Sequence, residues 1–159
     1  MDGVVLVTGD GGASHALQAV GEASGKSTVA QALTGEAEAQ LRLRHRLSAA
    51  TADAYAQAGF TAVVPDVVLG AALEASVDLV RTRPLHVVVL APDAGTVAVR
   101  EAGRRKTGYG AGSGWTVADL DEELRLRTPR IGLWLDTGEL TVGQTGGAIL
   151  AGRERARVV

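Results

Sequence analysis

Two short stretches carry residues suited to phosphate chemistry. Val4-Val5-Leu6-Val7-Thr8 reads as a buried strand running into Gly9, and Ser24-Gly25-Lys26-Ser27-Thr28 reads as the opening of a helix. Backbone N–H groups at such a helix start wrap phosphates, a lysine bridges the terminal ones, and a hydroxyl reaches a magnesium ion. This assigns Gly9, Gly25, Lys26, Ser27 and Thr28 to the phosphates of ATP or GTP, with Ser27 on Mg2+. The usual motif, G-x-x-x-x-G-K-[ST], puts its first glycine five residues before the second. Here Gly9 lies sixteen before Gly25; Val20 occupies the expected place, Gly21 comes one residue late, and Glu22 would repel a phosphate.

Asp66 follows the apolar run Phe60 to Val64 and Pro65, where α/β folds present functional carboxylates at strand C-terminal ends. As a turn residue it would instead cap a helix at Ala71. Arg100, Arg104, Arg105 and Lys106 end a helix that leads into the glycine-rich run Thr107 to Gly114. Basic side chains beside such a segment match a lid, here residues 103–115, that closes over phosphates and stabilises transferred charge. Arg100 and Arg104 lie one turn apart on one face. A basic last turn also complements the helix dipole without any function.

These groups need a scaffold, and strand-length apolar runs alternating with helical segments imply an α/β fold with a parallel sheet flanked by helices. The strands are expected at Val4 to Thr8, Phe60 to Val64, Leu85 to Leu90 and Ile131 to Leu135. Helices are expected over Lys26 to Leu33, Glu36 to Gly59, Ala71 to Arg81, Asp93 to Lys106, Thr116 to Arg125 and Thr141 to Leu150. In the second of these, Leu41, Leu43, Leu47, Ala50, Ala54 and Ala58 mark one face, and Gly59 is the C-cap. Residues 1–152 form one domain, and the tail 153–159 is expected to fray. Arg42, Arg44, His45 and Arg46 read as a solvated helix face. His15 and His86 have no partners at metal-ligand spacing, and Trp134 reads as core.

A formal net charge of −2 leaves no overall basic field for nucleic acid, and the lack of cysteine excludes a thiolate metal site or nucleophile. No apolar stretch has the length of a membrane span and no signal-peptide pattern opens the chain, so a cytoplasmic protein is expected.

Ala54-Tyr55-Ala56-Gln57-Ala58-Gly59-Phe60, Val64-Pro65-Asp66-Val67-Val68-Leu69-Gly70, Arg100-Glu101-Ala102-Gly103-Arg104-Arg105-Lys106 and Leu133-Trp134-Leu135-Asp136-Thr137 point to a family. From Leu41 to about Leu150 the chain resembles the small-molecule phosphotransferases related to chloramphenicol phosphotransferase. These belong to the P-loop kinase superfamily that includes shikimate and gluconate kinases. The resemblance implies a P-loop kinase-like fold and an ATP- or GTP-dependent, Mg2+-requiring kinase. Its partner would be a small-molecule hydroxyl acceptor such as an antibiotic, nucleoside or sugar acid. Such kinases place a second strand after the first helix, ending in an acid at the substrate; only Thr34 to Gln40 separate Leu33 from Leu41 here. With that acid missing, Asp66 becomes the candidate general base, beside Lys26, Arg100 and Arg104 as catalytic residues.

Two other readings stand. One is a degenerate, non-catalytic P-loop nucleotide-binding protein, for which the stretched spacing speaks. The other is a dinucleotide-binding oxidoreductase, from Gly9-Asp10-Gly11-Gly12-Ala13-Ser14; that fingerprint lacks its third glycine and no Tyr-x-x-x-Lys pair accompanies it.

Overall fold

A computed structural model of the chain describes residues 3–9, 27–93, 95–97 and 116–158, with side chains of 3–8, 39–93, 95–97 and 116–158. Lys26, Gly25, Arg100, Arg104 and the lid-like segment 103–115 lie outside the described residues.

The chain runs β1 (Val4–Gly9), α1 (Ser27–Gln57), β2 (Ala62–Pro65), α2 (Ala71–Leu79) and β3 (Leu85–Leu90). It continues through α3 (Val117–Glu122), β4 (Leu133–Leu135), α4 (Val142–Ala151), α5 (Arg153–Ala156) and β5 (Arg157–Val158). The sheet order is β2-β1-β3-β4, all parallel, so the expected parallel α/β sheet flanked by helices is present. β1 sits between β2, with Val4 opposite Ala62, and β3, with Val4 opposite Leu85.

Alternation along the strands divides the core between the two faces of the sheet. Val4, Leu85, Val87 and Val89 pack with Ala49 and Ala52 of α1, Leu73 and Val77 of α2, and Leu124 after α3. Val5, Val88 and Leu133 face the other way, onto Ala156 of α5 and Ile149 of α4. Covering on both faces explains why β3 reads as an unbroken apolar run apart from His86.

α1 departs from the expected pair of helices. It is continuous for 31 residues, passing through Gly35, where the sequence reading placed a break. Thr34 to Gln40 lie within it, so this stretch holds no second strand, and among the described residues β2 is the sheet edge. Its buried face is also not the leucine face. Ala49 and Ala52 are buried, whereas Leu43 and Leu47 are 46% and 59% exposed. Small side chains let the helix backbone lie close to the sheet. Gly59, at positive φ, ends α1 in a Schellman motif, with Phe60 N–H donating to Tyr55 O and Gly59 N–H to Ala56 O, both at 3.0 Å.

Thr116 and Asp119 form a capping box at α3, with Asp in the usual Glu position; the helix then widens into a π turn over Glu123–Arg127. The tail differs from expectation. Instead of fraying, it forms α5 and then β5, antiparallel to the first two residues of β3, with Val158 opposite Leu85 and Arg157 opposite His86. β4 pairs only with Val88 to Leu90, so β4 and β5 share one edge of β3, and fully buried Ala156 secures the tail.

Gly132 precedes β4 at φ +72°, where a β-carbon would land on the Val87 carbonyl. Gly132→Ala is expected to cost about 2 kcal/mol or more, from left-handed backbone strain plus the clash. Urea denaturation checks this; a loss below about 0.5 kcal/mol would contradict this close approach of Gly132 to β3.

Candidate functional site

The order β2-β1-β3-β4 reverses direction between β1 and β3, and open α/β sheets bind ligands beyond the strand C-terminal ends at such a point. Among the described residues three carboxylates follow strands along this edge: Asp66 after β2, Asp93 shortly after β3 and Asp136 after β4.

Asp66 is held on all sides. Its N–H extends the β1–β2 ladder by donating to Val7 O at 3.0 Å. Oδ1 accepts from Arg44 Nη2 and from Val67 N–H, both at 2.8 Å, and Oδ2 lies 3.7 Å from His45 Nε2. The side chain is 11% exposed. Arg44 and His45 were read as a solvated face, and this is corrected: both pack onto Asp66. The signal was available in the alanines. His45 lies four residues before Ala49 and seven before Ala52, so phasing α1 on those alanines puts His45 on the buried face. Next to this ion pair, Thr8 Oγ1 donates to Val68 O at 2.9 Å and accepts from Val68 N–H at 2.8 Å, tying the end of β1 to the loop after β2.

Asp93 caps the helical residues 95–97. Its Oδ1 accepts from Thr96 N–H at 2.9 Å and its Oδ2 from Thr96 Oγ1; these bonds, the side-chain one foremost, hold its carboxyl below the usual range. Asp136 Oδ1 accepts from Gly138 N–H at 2.9 Å. A β-carbon at Gly138 would sit 3.2 Å from oxygens of both Asp93 and Asp136, so the two carboxylates converge there. Among the described residues no group of three or more His, Cys, Asp or Glu side chains could hold a metal ion.

The proposed phosphate residues are less closely gathered. α1 runs antiparallel to the strands. Arg44 meets Asp66 at the C-terminal edge of the sheet, while Asp53 meets Arg81 and Thr82, shortly before β3, at the other end. Ser27, the first residue of α1, precedes Arg44 by seventeen residues, about 26 Å along a helix axis. A phosphate cradle needs its helix to start beside the strand it follows. Ser27 and Thr28 therefore stand well beyond Asp66 and Thr8, whose side chains share one small cavity.

Sequence reasoning missed an open groove of about 760 Å3 between α1 and the outer side of β2. Leu43, Leu47, Tyr55, Val63 and Val64 give it an apolar lining, and Arg44 contributes as well. Its size suits a small organic molecule.

The two described histidines make stability depend on pH. Burial is the main cause that lowers the proton affinity of His45, with Asp66 opposing and Arg44 reinforcing. Burial likewise lowers His86, against an opposing Val4 backbone hydrogen bond. Below the ordinary value of 6.5 the unfolded chain then binds more protons than the folded one. Stability is therefore expected to be full above pH 7 and to fall as pH drops through 6.5 toward the lower folded values. Urea titrations at pH 7.5 and 5.5 measure this, and His45→Gln with His86→Gln should flatten the difference. An unchanged slope in the double variant would place the pH dependence elsewhere.

No family model matches the chain, and no curated protein or solved structure matches it. Among the described residues no helix is long and apolar enough to cross a membrane.

Proposed function

We propose that this chain is a P-loop kinase-like phosphotransferase that uses ATP or GTP with Mg2+ to phosphorylate a hydroxyl of a small molecule. The observation that supports it best is the parallel sheet whose first strand precedes Gly25-Lys26-Ser27-Thr28 in the sequence and whose switch point lies beside that strand. Lys26 would bridge the phosphates, Ser27 would reach Mg2+, and Arg100 and Arg104 would stabilise transferred charge. The groove beside β2, bordered by Arg44 of the Asp66 ion pair, would receive an apolar or aromatic acceptor.

Two observations favour the second reading, a degenerate P-loop protein that binds nucleotide without turnover. Ser27 lies about 26 Å along α1 from the Asp66 ion pair. Asp66 has Oδ1 taken by two donors and Oδ2 turned toward His45, so as a general base it would first have to release Arg44.

Calorimetry with Mg-ATP and Mg-GTP, followed by turnover over a panel of hydroxylated acceptors, separates the readings. Binding is expected, weakened about a hundredfold by Lys26→Ala, or about 2.7 kcal/mol. Turnover supports the kinase; binding alone supports the degenerate form. Absence of nucleotide binding, or equal affinity in the variant, counts against both.

A further inference from the structure

Behind the Asp66 ion pair lies a small cavity of about 30 Å3 between β1, α1 and α2. Most of its wall area is apolar, from residues such as Leu6, Val64 and Leu73, yet it also receives His45, Asp66 and Ser76, with Thr8 and Ser48 at its wall. Two buried polar atoms there have no hydrogen-bond partner, His45 Nε2 and Ser76 Oγ. The His45 side chain is 10% exposed and Ser76 is 8% exposed. The 3.7 Å from His45 Nε2 to Asp66 Oδ2 is too long for a direct hydrogen bond.

Polar groups buried among apolar ones are expensive unless paired, and a gap above about 3.5 Å between two of them fits an intervening water. A cavity needs at least about 10–15 Å3 to hold one water. This one has room for one. We propose that the cavity is a binding site for a single structural water, which bridges Asp66 Oδ2, His45 Nε2 and Ser76 Oγ and so ties the carboxylate to both α1 and α2.

The carboxylate only accepts, so the water donates one proton to Asp66 Oδ2. Its second goes to Nε2 of the neutral imidazole, and its oxygen accepts from the Ser76 hydroxyl. Three bonds are typical of a buried water. When His45 takes up a proton at low pH, Nε2–H donates to the water instead, and Ser76 turns to accept. The charged groups facing His45 are Asp66, on the loop after β2, and Arg44 beside it on α1. The other polar side chains lining the cavity among the described residues are Thr8 of β1, Ser48 of α1 and Ser76 of α2, none of them charged. The water thus gives the buried imidazolium an acceptor, and Arg44 and the water hold opposite oxygens of Asp66.

A high-resolution crystal structure of the full chain at pH 8 tests this without any variant. A density peak within hydrogen-bond distance of all three atoms is expected, and flat density there overturns the proposal. Ser76→Val fills the space and removes the hydroxyl. An NMR titration of the His45 ring is then expected to show a midpoint lower by about one pH unit, tenfold in proton affinity, because the imidazolium loses its acceptor. A folded Ser76→Val protein with an unchanged midpoint overturns the proposal. Should that variant fail to fold, the wild-type density alone decides. The test does not depend on nucleotide binding or turnover.

Discussion

Leu85→Ala is expected to destabilise the protein by about 4 kcal/mol, near the upper part of the range for buried leucines. Leu85 is fully buried and opens β3, where it is opposite Val4 of β1 on one side and Val158 of β5 on the other. Its side chain packs with α1 and α2 residues on one face of the sheet. Truncation would leave a cavity at the joint between the central strands and the tail, where paired backbones on both sides limit collapse. Urea denaturation measures the loss, and the melting temperature should fall by about 12 °C, at about 3 °C per kcal/mol for a chain of this size. Leu126→Ala provides the contrast, since Leu126 is 75% exposed, and should change stability by less than about 0.5 kcal/mol. Equal effects at the two positions would refute this core.

Asp53→Ala is expected to cost about 3 kcal/mol, although it removes only a small polar side chain. Asp53 is 8% exposed on α1. Its oxygens accept from Arg81 N–H at 3.2 and 3.1 Å and from Thr82 N–H at 2.8 Å. These amides lie in the turn between α2 and β3, outside both elements, and Asp53 supplies their acceptors. Burial pushes the Asp53 carboxyl up, but the Thr82 and Arg81 N–H bonds outweigh it and hold the group below its usual 3.8. A carboxyl lowered by folding contributes stability above that value and loses it as pH falls through the folded one. The wild-type advantage over Asp53→Ala should thus be constant near neutrality and shrink below about pH 4. Asp53→Asn keeps one acceptor oxygen and should recover part of the loss. A loss below about 1 kcal/mol, or one that does not vary at acid pH, would show that water satisfies the Arg81 and Thr82 amides unaided.

Much of the scaffold was legible in the chain. Continuous apolar runs of strand length mark β1 and β3, and their residues are buried on both faces because helices cover both sides. Local chemistry also declares itself: Thr116 with Asp119, Thr141 with Gln144, and Gly59 all end or begin helices as their side chains or backbone freedom dictate. The reading went astray where local preference and packing disagree. Gly35 breaks a helix on propensity, at about 1 kcal/mol against Ala, yet α1 runs through it. Leucines are the natural choice for a buried face, yet α1 buries alanines and leaves Leu43 and Leu47 on the groove. The tail was expected to fray, yet Ala156 packs against Val5, Val88 and Leu133 while Arg157 and Val158 pair with the free half of the β3 edge.

By itself, then, the sequence determined the α/β class, the positions of the central strands, the helix caps and the place of Asp66 at a strand end, because each follows from contacts within a few residues. Only the tertiary structure decided what Asp66 does there. Arg44 and His45 lie 22 and 21 positions away along the chain. Whether they meet the carboxylate depends on the rotation of α1, and that rotation is set by how closely small residues let the helix approach the sheet. It likewise decided that α1 begins far from the strand ends, because a helix advances about 1.5 Å per residue wherever its packed half is anchored.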